Sequence, residues 1–214
     1  MTYGYLGDTS SIKQSKKNAG ILSVNEALIL SSQGHLGDAY TLVASASADN
    51  SSQLLTFDDC FTSEYGSYYI TWADYVPAND ENLLYFRFKN ASGEVDGGSA
   101  YQYCNFYLQH SGGTGEYKST GANHIKIMGG AGTGTGEIAH GHINVYSPAN
   151  SERTAASTSS VQYDQNAVMH TMFGGGMYDT AEAVTGCLFR SISSGGTLGN
   201  INTLDVNIYG IKHL

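Results

Sequence analysis

The chain has 214 residues, with only 14% charged side chains, 27 glycines, two prolines and sixteen tyrosines; all-β sandwiches and barrels of this length fold as single units. Its formal charge of -9 excludes nucleic acid as a partner of the whole molecule, because phosphate binding needs a basic face that releases counterions. No apolar run approaches the ~20 residues of a membrane-spanning helix, so membrane insertion is not expected, and the opening MTYGYLGDTS lacks the basic start and apolar core of a signal peptide.

The charge is unevenly spread. Residues 1–37 carry Lys13, Lys16 and Lys17 against Asp8 and Glu26, net +1, whereas residues 38–214 carry seven basic and seventeen acidic side chains, net -10. The first region therefore reads as an N-terminal attachment arm that docks where the body does not; a solvated tail is the alternative. Residues 2–20 lack periodicity and are rich in Gly, Ser, Lys and Asn, the composition of a segment ordered only by contact. Tyr3, Tyr5 and Leu6 make an amphipathic hook at its tip.

A short helix is expected over residues 24–33. Ser23 is its N-cap, Glu26 three residues later completes a capping box, and Gly34 is the stop. About ten residues of helix are marginal alone in water, so Ile21, Leu22, Val24, Ala27, Leu28, Ile29 and Leu30 need burial, either as a plug on the chain's own body or against a partner. In the second case Tyr3, Tyr5, Leu6, Ile21, Leu22, Leu28 and Ile29 are the partner-binding residues.

From Tyr40 onward the period is two. Strands are predicted over Tyr40–Ala46, Leu54–Phe57, Tyr68–Tyr75, Leu83–Lys89, Tyr101–Gln109, His124–Met128, Ile138–Tyr146, Val168–Phe173, Gly186–Ile192 and Leu204–Lys212. In the last, Leu204, Val206, Ile208 and Gly210 share one face. In Leu83–Lys89, Leu84, Phe86 and Phe88 alternate with Leu83, Tyr85 and Arg87; both segments read as half-buried antiparallel strands. SGEVDGGS, SGGTGEYKSTG, GGAGTGTGE and SSGGTLGN read as glycine-rich hairpin connections, and Ser147–Ser160 as a long exposed loop. About ten short strands joined this way give an all-β fold: an antiparallel two-sheet sandwich over 38–214, jelly-roll-like.

Chemistry is sparse. GGAGTGTGE fits no phosphate-loop pattern and no helix follows it. His140 and His142 point to one side of a strand, a spacing that could hold two ligands of one metal; Ala139, Gly141, Ile143 and Val145 take the core face, so ordinary surface or interface histidines are the simpler reading. No Ser or Cys sits in a nucleophile motif. Asp58-Asp59 and Asp80-Glu81 read as solvated turn acids, or at most part of a calcium loop. Cys60, Cys104 and Cys187, an odd number with no C-x-x-C pair, read as buried apolar residues in strands. No catalytic residue, metal or cofactor is expected. Tyr65, Tyr68, Tyr69, Trp72, Tyr75, Tyr101, Tyr103 and Tyr107 cluster in two strands and their approach, where they line either a subunit interface or a sugar-stacking surface.

The opening MTYGYLGDTSSIKQSKKNAGILSVNEALIL, the aromatic strands SYYITWADYVPANDENLLYFRF and the closing LDVNIYGIK resemble small virion structural proteins of tailed bacteriophages, particularly those of marine bacteria and cyanobacteria. The resemblance covers about half the chain and contains no catalytic residue. It implies a capsid decoration, head-fibre or tail-fibre component, a homo-oligomer (frequently a trimer) bound to other virion proteins through the N-terminal arm. Assembly would take place in the host cytoplasm, with a host-surface glycan as an optional further partner. A glycan-binding module or depolymerase on the same sandwich is the competing expectation.

Overall fold

The computed structural model describes residues 40–193 and 195–212. The helix expected over 24–33 and the partner-binding residues Tyr3, Tyr5, Leu6, Ile21, Leu22, Leu28 and Ile29 lie outside the described residues.

The described chain is an antiparallel two-sheet sandwich. In chain order the strands are β1 (Thr41–Ala48), β2 (Leu54–Phe57), β3 (Ser67–Pro77), β4 (Asn82–Asn90), β5 (Gly93–Glu94), β6 (Tyr101–Gln109), β7 (Thr114–Ala122), β8 (Ile125–Ala131), β9 (Ala139–Tyr146), β10 (Ala155–Tyr163), β11 (Met169–Tyr178), β12 (Gly186–Ile192) and β13 (Ile201–Ile211). One sheet has the order β1-β13-β3-β9-β10-β11-β6-β7; the other runs β2-β12-β4-β5, with β8 also paired to β4. The chain passes repeatedly from sheet to sheet, as in a jelly roll.

The core lies between the sheets, and most of its largest fully buried side chains are aromatic. Tyr68, Ile70, Trp72 and Tyr75 of β3, Phe86 and Phe88 of β4, Tyr101 of β6, Ile125 and Ile127 of β8 and Phe189 of β12 are fully buried. Phe86 packs edge-to-face on Phe189 at 5.5 Å and on Phe88 at 5.1 Å. Each such side chain contributes roughly 1.5–3 kcal/mol by leaving water. In β13, Leu204, Val206, Ile208 and Gly210 share the buried face, as their alternation requires.

Several expectations need correction. The stretch 147–160 is not one exposed loop: β10 begins at Ala155, and its inward residues Ala156, Thr158, Ser160 and Gln162 are buried. They carry little apolar signal because three of the four are polar, and two of those, Thr158 and Gln162, find hydrogen-bond partners inside. Gln162 accepts from Gly129 N–H at 3.2 Å and donates to the Gly130 carbonyl at 3.2 Å. SGGTGEYKSTG is mostly strand β7, with only its first residues forming a turn. GGAGTGTGE is not a hairpin either: Gly129, Gly130 and Ala131 extend β8, and the rest carries the chain across to the other sheet. A Cβ on Gly130 would meet the Glu81 backbone at 3.0 Å, so glycine is what lets β8 close on the β3–β4 turn.

Strand β4 is covered on both faces rather than one. Its second face holds Arg87, which pairs with Glu94 of β5, and Tyr85, which stacks on His124 ahead of β8. Tyr68, Trp72, Tyr75 and Tyr101 belong to the core, so they can neither stack on sugars nor line a subunit interface. Cys60 and Cys187 are buried, but Cys104 is exposed on β6, and Cys60 lies in the turn after β2 rather than in a strand. Burial holds the Cys187 thiol well above its ordinary pKa, with Cys60 beside it.

Candidate functional site

Two places carry surface features that the core does not explain. The first is the outer face of the eight-stranded sheet along β9, β10, β11 and β6. Strand alternation points His140, His142, Asn144 and Tyr146 outward from β9, Ser157, Ser159, Val161 and Tyr163 from β10, Thr171, Phe173, Gly175 and Met177 from β11, and Gln102, Cys104, Phe106 and Leu108 from β6. None of these positions is Asp, Glu, Lys or Arg, although the chain as a whole carries -9.

The registers place Phe106 directly beside Phe173, their ring centroids 5.7 Å apart, and these side chains are 42% and 48% exposed. Next along both strands, Cys104 faces Gly175. Beside Gly175, which adds no side chain, lies an open groove of about 750 Å³ lined by Gln102, Cys104, Lys118, Thr120 and Met177. Across β7, the same two rows end in Glu116 beside Phe106 and Lys118 beside Cys104, ion-paired with each other.

His140 and His142 do point outward. His140 Nδ1 accepts the Asp74 N–H at 3.2 Å, where β3 bulges and Asp74 takes a φ of 53°. His142 packs against Tyr69 at 5.5 Å. Gly141 between them lies under the core: a Cβ there would come within 2.4 Å of the Trp72 ring. A dent of about 250 Å³ opens beside them, between Tyr69, Ser159, Val161 and Thr171. Among the described residues no group of three His, Cys, Asp or Glu is placed to hold a metal ion.

The second place is a half-open cluster where the β6–β7 hairpin meets β4 and β8. Tyr85 and His124 stack at 3.5 Å and 9°, Tyr103 leans on His124 at 5.9 Å, and Tyr107 stacks on Tyr117 at 5.0 Å. The Lys126 ammonium sits 3.3 Å from the centroid of the Tyr117 ring. Burial lowers Lys126 to about 8; burial, together with the charges of Arg87 and Lys126, lowers His124 to about 4. Burial raises Tyr85 to about 12. The His124 Nε2 and Arg87 Nε atoms are buried with no hydrogen-bond partner among the described residues. Tyr103 and Tyr107 were visible as strand aromatics in the sequence. Tyr117 was not, because β7 reads as a glycine-rich turn; His124 and Lys126 fall in the strand predicted over His124–Met128, but nothing in the sequence tied them to these tyrosines.

The turn acids serve the framework. Asp58 pairs with Lys89, and Asp80 accepts from Thr133 N–H at 2.8 Å and Thr133 Oγ1 at 2.7 Å. No protein-family model, curated protein or solved structure matches the chain.

Proposed function

We propose that the chain is a non-enzymatic structural protein of a bacteriophage particle: a capsid decoration or fibre component, held to other virion proteins through residues 1–37 and displaying the sandwich. In this reading it works as a homo-oligomer, assembled in the host cytoplasm, and its distal loops can add host attachment. The observation that carries the reading is the uncharged outer face of β9, β10, β11 and β6, with Phe106 and Phe173 exposed side by side. A soluble monomer seldom leaves several adjacent strands without charge; an assembly face does. The sequence resemblance supplies the phage context. The test is to remove residues 1–34: the truncated protein should remain folded and no longer co-sediment with particles that bind the full chain. Loss of folding would assign the segment to the core instead.

A second reading, a glycan-binding module or depolymerase, is favoured by the tyrosine cluster around Lys126, whose rings and polar edges are only half-buried. A glycan array run together with a reducing-sugar assay separates the two. Specific binding with turnover would replace the structural reading.

A further inference from the structure

The uncharged face is complementary to itself. Along β11 and β6 it presents a knob, Phe106 with Phe173, and one row further a hole, where Gly175 faces Cys104 at the floor of the groove. Successive outward rows on a strand lie about 6.8 Å apart. A two-fold axis lying in the contact plane, across the strands and midway between these rows, exchanges them. Each copy's Phe106 and Phe173 then enter the partner copy's groove. The same operation acts on β7, where Glu116 belongs to the knob row and Lys118 to the hole row. It sets Glu116 of one copy over Lys118 of the other, twice. Among the described residues these two side chains pair with each other, at exposed positions where a salt bridge is worth little.

We propose that this face joins two copies of the chain in an isologous, face-to-face pair, with the Phe106–Phe173 ridge of each seated in the Gly175 groove of the other. The occupant is a second copy because the two central rows of the face find their complements on the face itself: ridge to groove, acid to base, and small Ser159 to small Ser157 on β10. Two molecules of net charge -9 repel, and an uncharged contact closed by two reciprocal ion pairs is the surface on which they can meet. Four strands of about nine residues make roughly 20 by 30 Å, about 600 Å² in plan before side-chain relief and the β7 rim are added. A standard interface needs about 800 Å² per partner. This pairing rests on the assembly reading above for its biological use, but its geometry does not depend on the phage context. It also differs from the trimer that the sequence resemblance implies.

The experiment is the mass of the full-length protein by light scattering and sedimentation velocity at 5–50 μM, for wild type and four variants. Wild type should run at about twice 22.8 kDa. Phe173→Glu, at an exposed position, should raise the dissociation constant at least tenfold. Glu116→Lys and Lys118→Glu should each weaken pairing several-fold, increasingly so at low salt, and the double exchange Glu116→Lys with Lys118→Glu should restore it. Monomeric wild type, a trimeric mass, or a dimer indifferent to Phe173→Glu would overturn the proposal. So would a double exchange no tighter than the single ones. None of these outcomes bears on whether residues 1–34 bind particles, so the two readings fail separately.

Discussion

Tyr85 and His124 are stacked face to face, ring centroids 3.5 Å apart and planes 9° from parallel. The contact removes the imidazole from water and, with Arg87 and Lys126 nearby, lowers its pKa from 6.5 to about 4. The unfolded chain therefore binds a proton at His124 across a window in which the folded chain does not. The associated stability is complete above pH 6.5 and is lost as pH falls towards 4. Discounted for the half-open site, the loss is roughly 1–2 kcal/mol. Urea unfolding at pH 7.5, 5.5 and 4.5 should show it, and His124→Phe, which keeps the stack, should flatten the slope. An unchanged slope would mean that His124 titrates normally.

Gly141 separates the two outward histidines and supports Trp72 from below. A methyl group there would sit 2.4 Å from both the Trp72 ring and the Ser159 carbonyl. The two strands paired across it leave no room to yield. Gly141→Ala should cost about 1–3 kcal/mol through overpacking, with a blue or red shift of the single tryptophan's emission. His140→Ala, one residue away and outward, should leave that emission unchanged.

Glu94 compensates a cation that has almost no solvent. Arg87 is 3% exposed and pairs with Glu94, to which Arg190 also lies 3.4 Å away. Glu94→Gln leaves Arg87 charged and buried and should cost about 2–4 kcal/mol, read from the urea midpoint at constant m-value. Glu116→Gln, an exposed pair, should cost under ~0.5 kcal/mol on the same measure.

How far the sequence could be read follows from how each strand is buried. β13 alternates apolar and polar residues from Leu204 to Ile208, while β12 and β6 are short runs rich in apolar and aromatic residues, and the limits of all three were legible to within a few residues. β10 was hidden because its inward residues Thr158, Ser160 and Gln162 are polar, with hydrogen bonds of Thr158 and Gln162 standing in for hydrophobic burial. Thr158 Oγ1, for example, donates to Asn105 Oδ1 at 3.4 Å. β7 was hidden by its glycines, and with it went the cluster that Tyr117 completes. The outward direction of His140 and His142 was legible from the apolar residues between them. The ridge of Phe106 and Phe173 was not: it joins strands far apart in the chain, and only the register of β6 against β11 brings the rings together.

The central claim is that the sandwich is a passive, displayed body and residues 1–34 its attachment. Co-sedimentation of full-length and 35–214 protein with purified phage particles tests this most directly. The account predicts that full-length protein pellets with particles, while the truncated protein, folded by circular dichroism, stays in the supernatant. Equal pelleting of both, or a full-length protein that ignores particles while releasing reducing sugar from host polysaccharide, would contradict it.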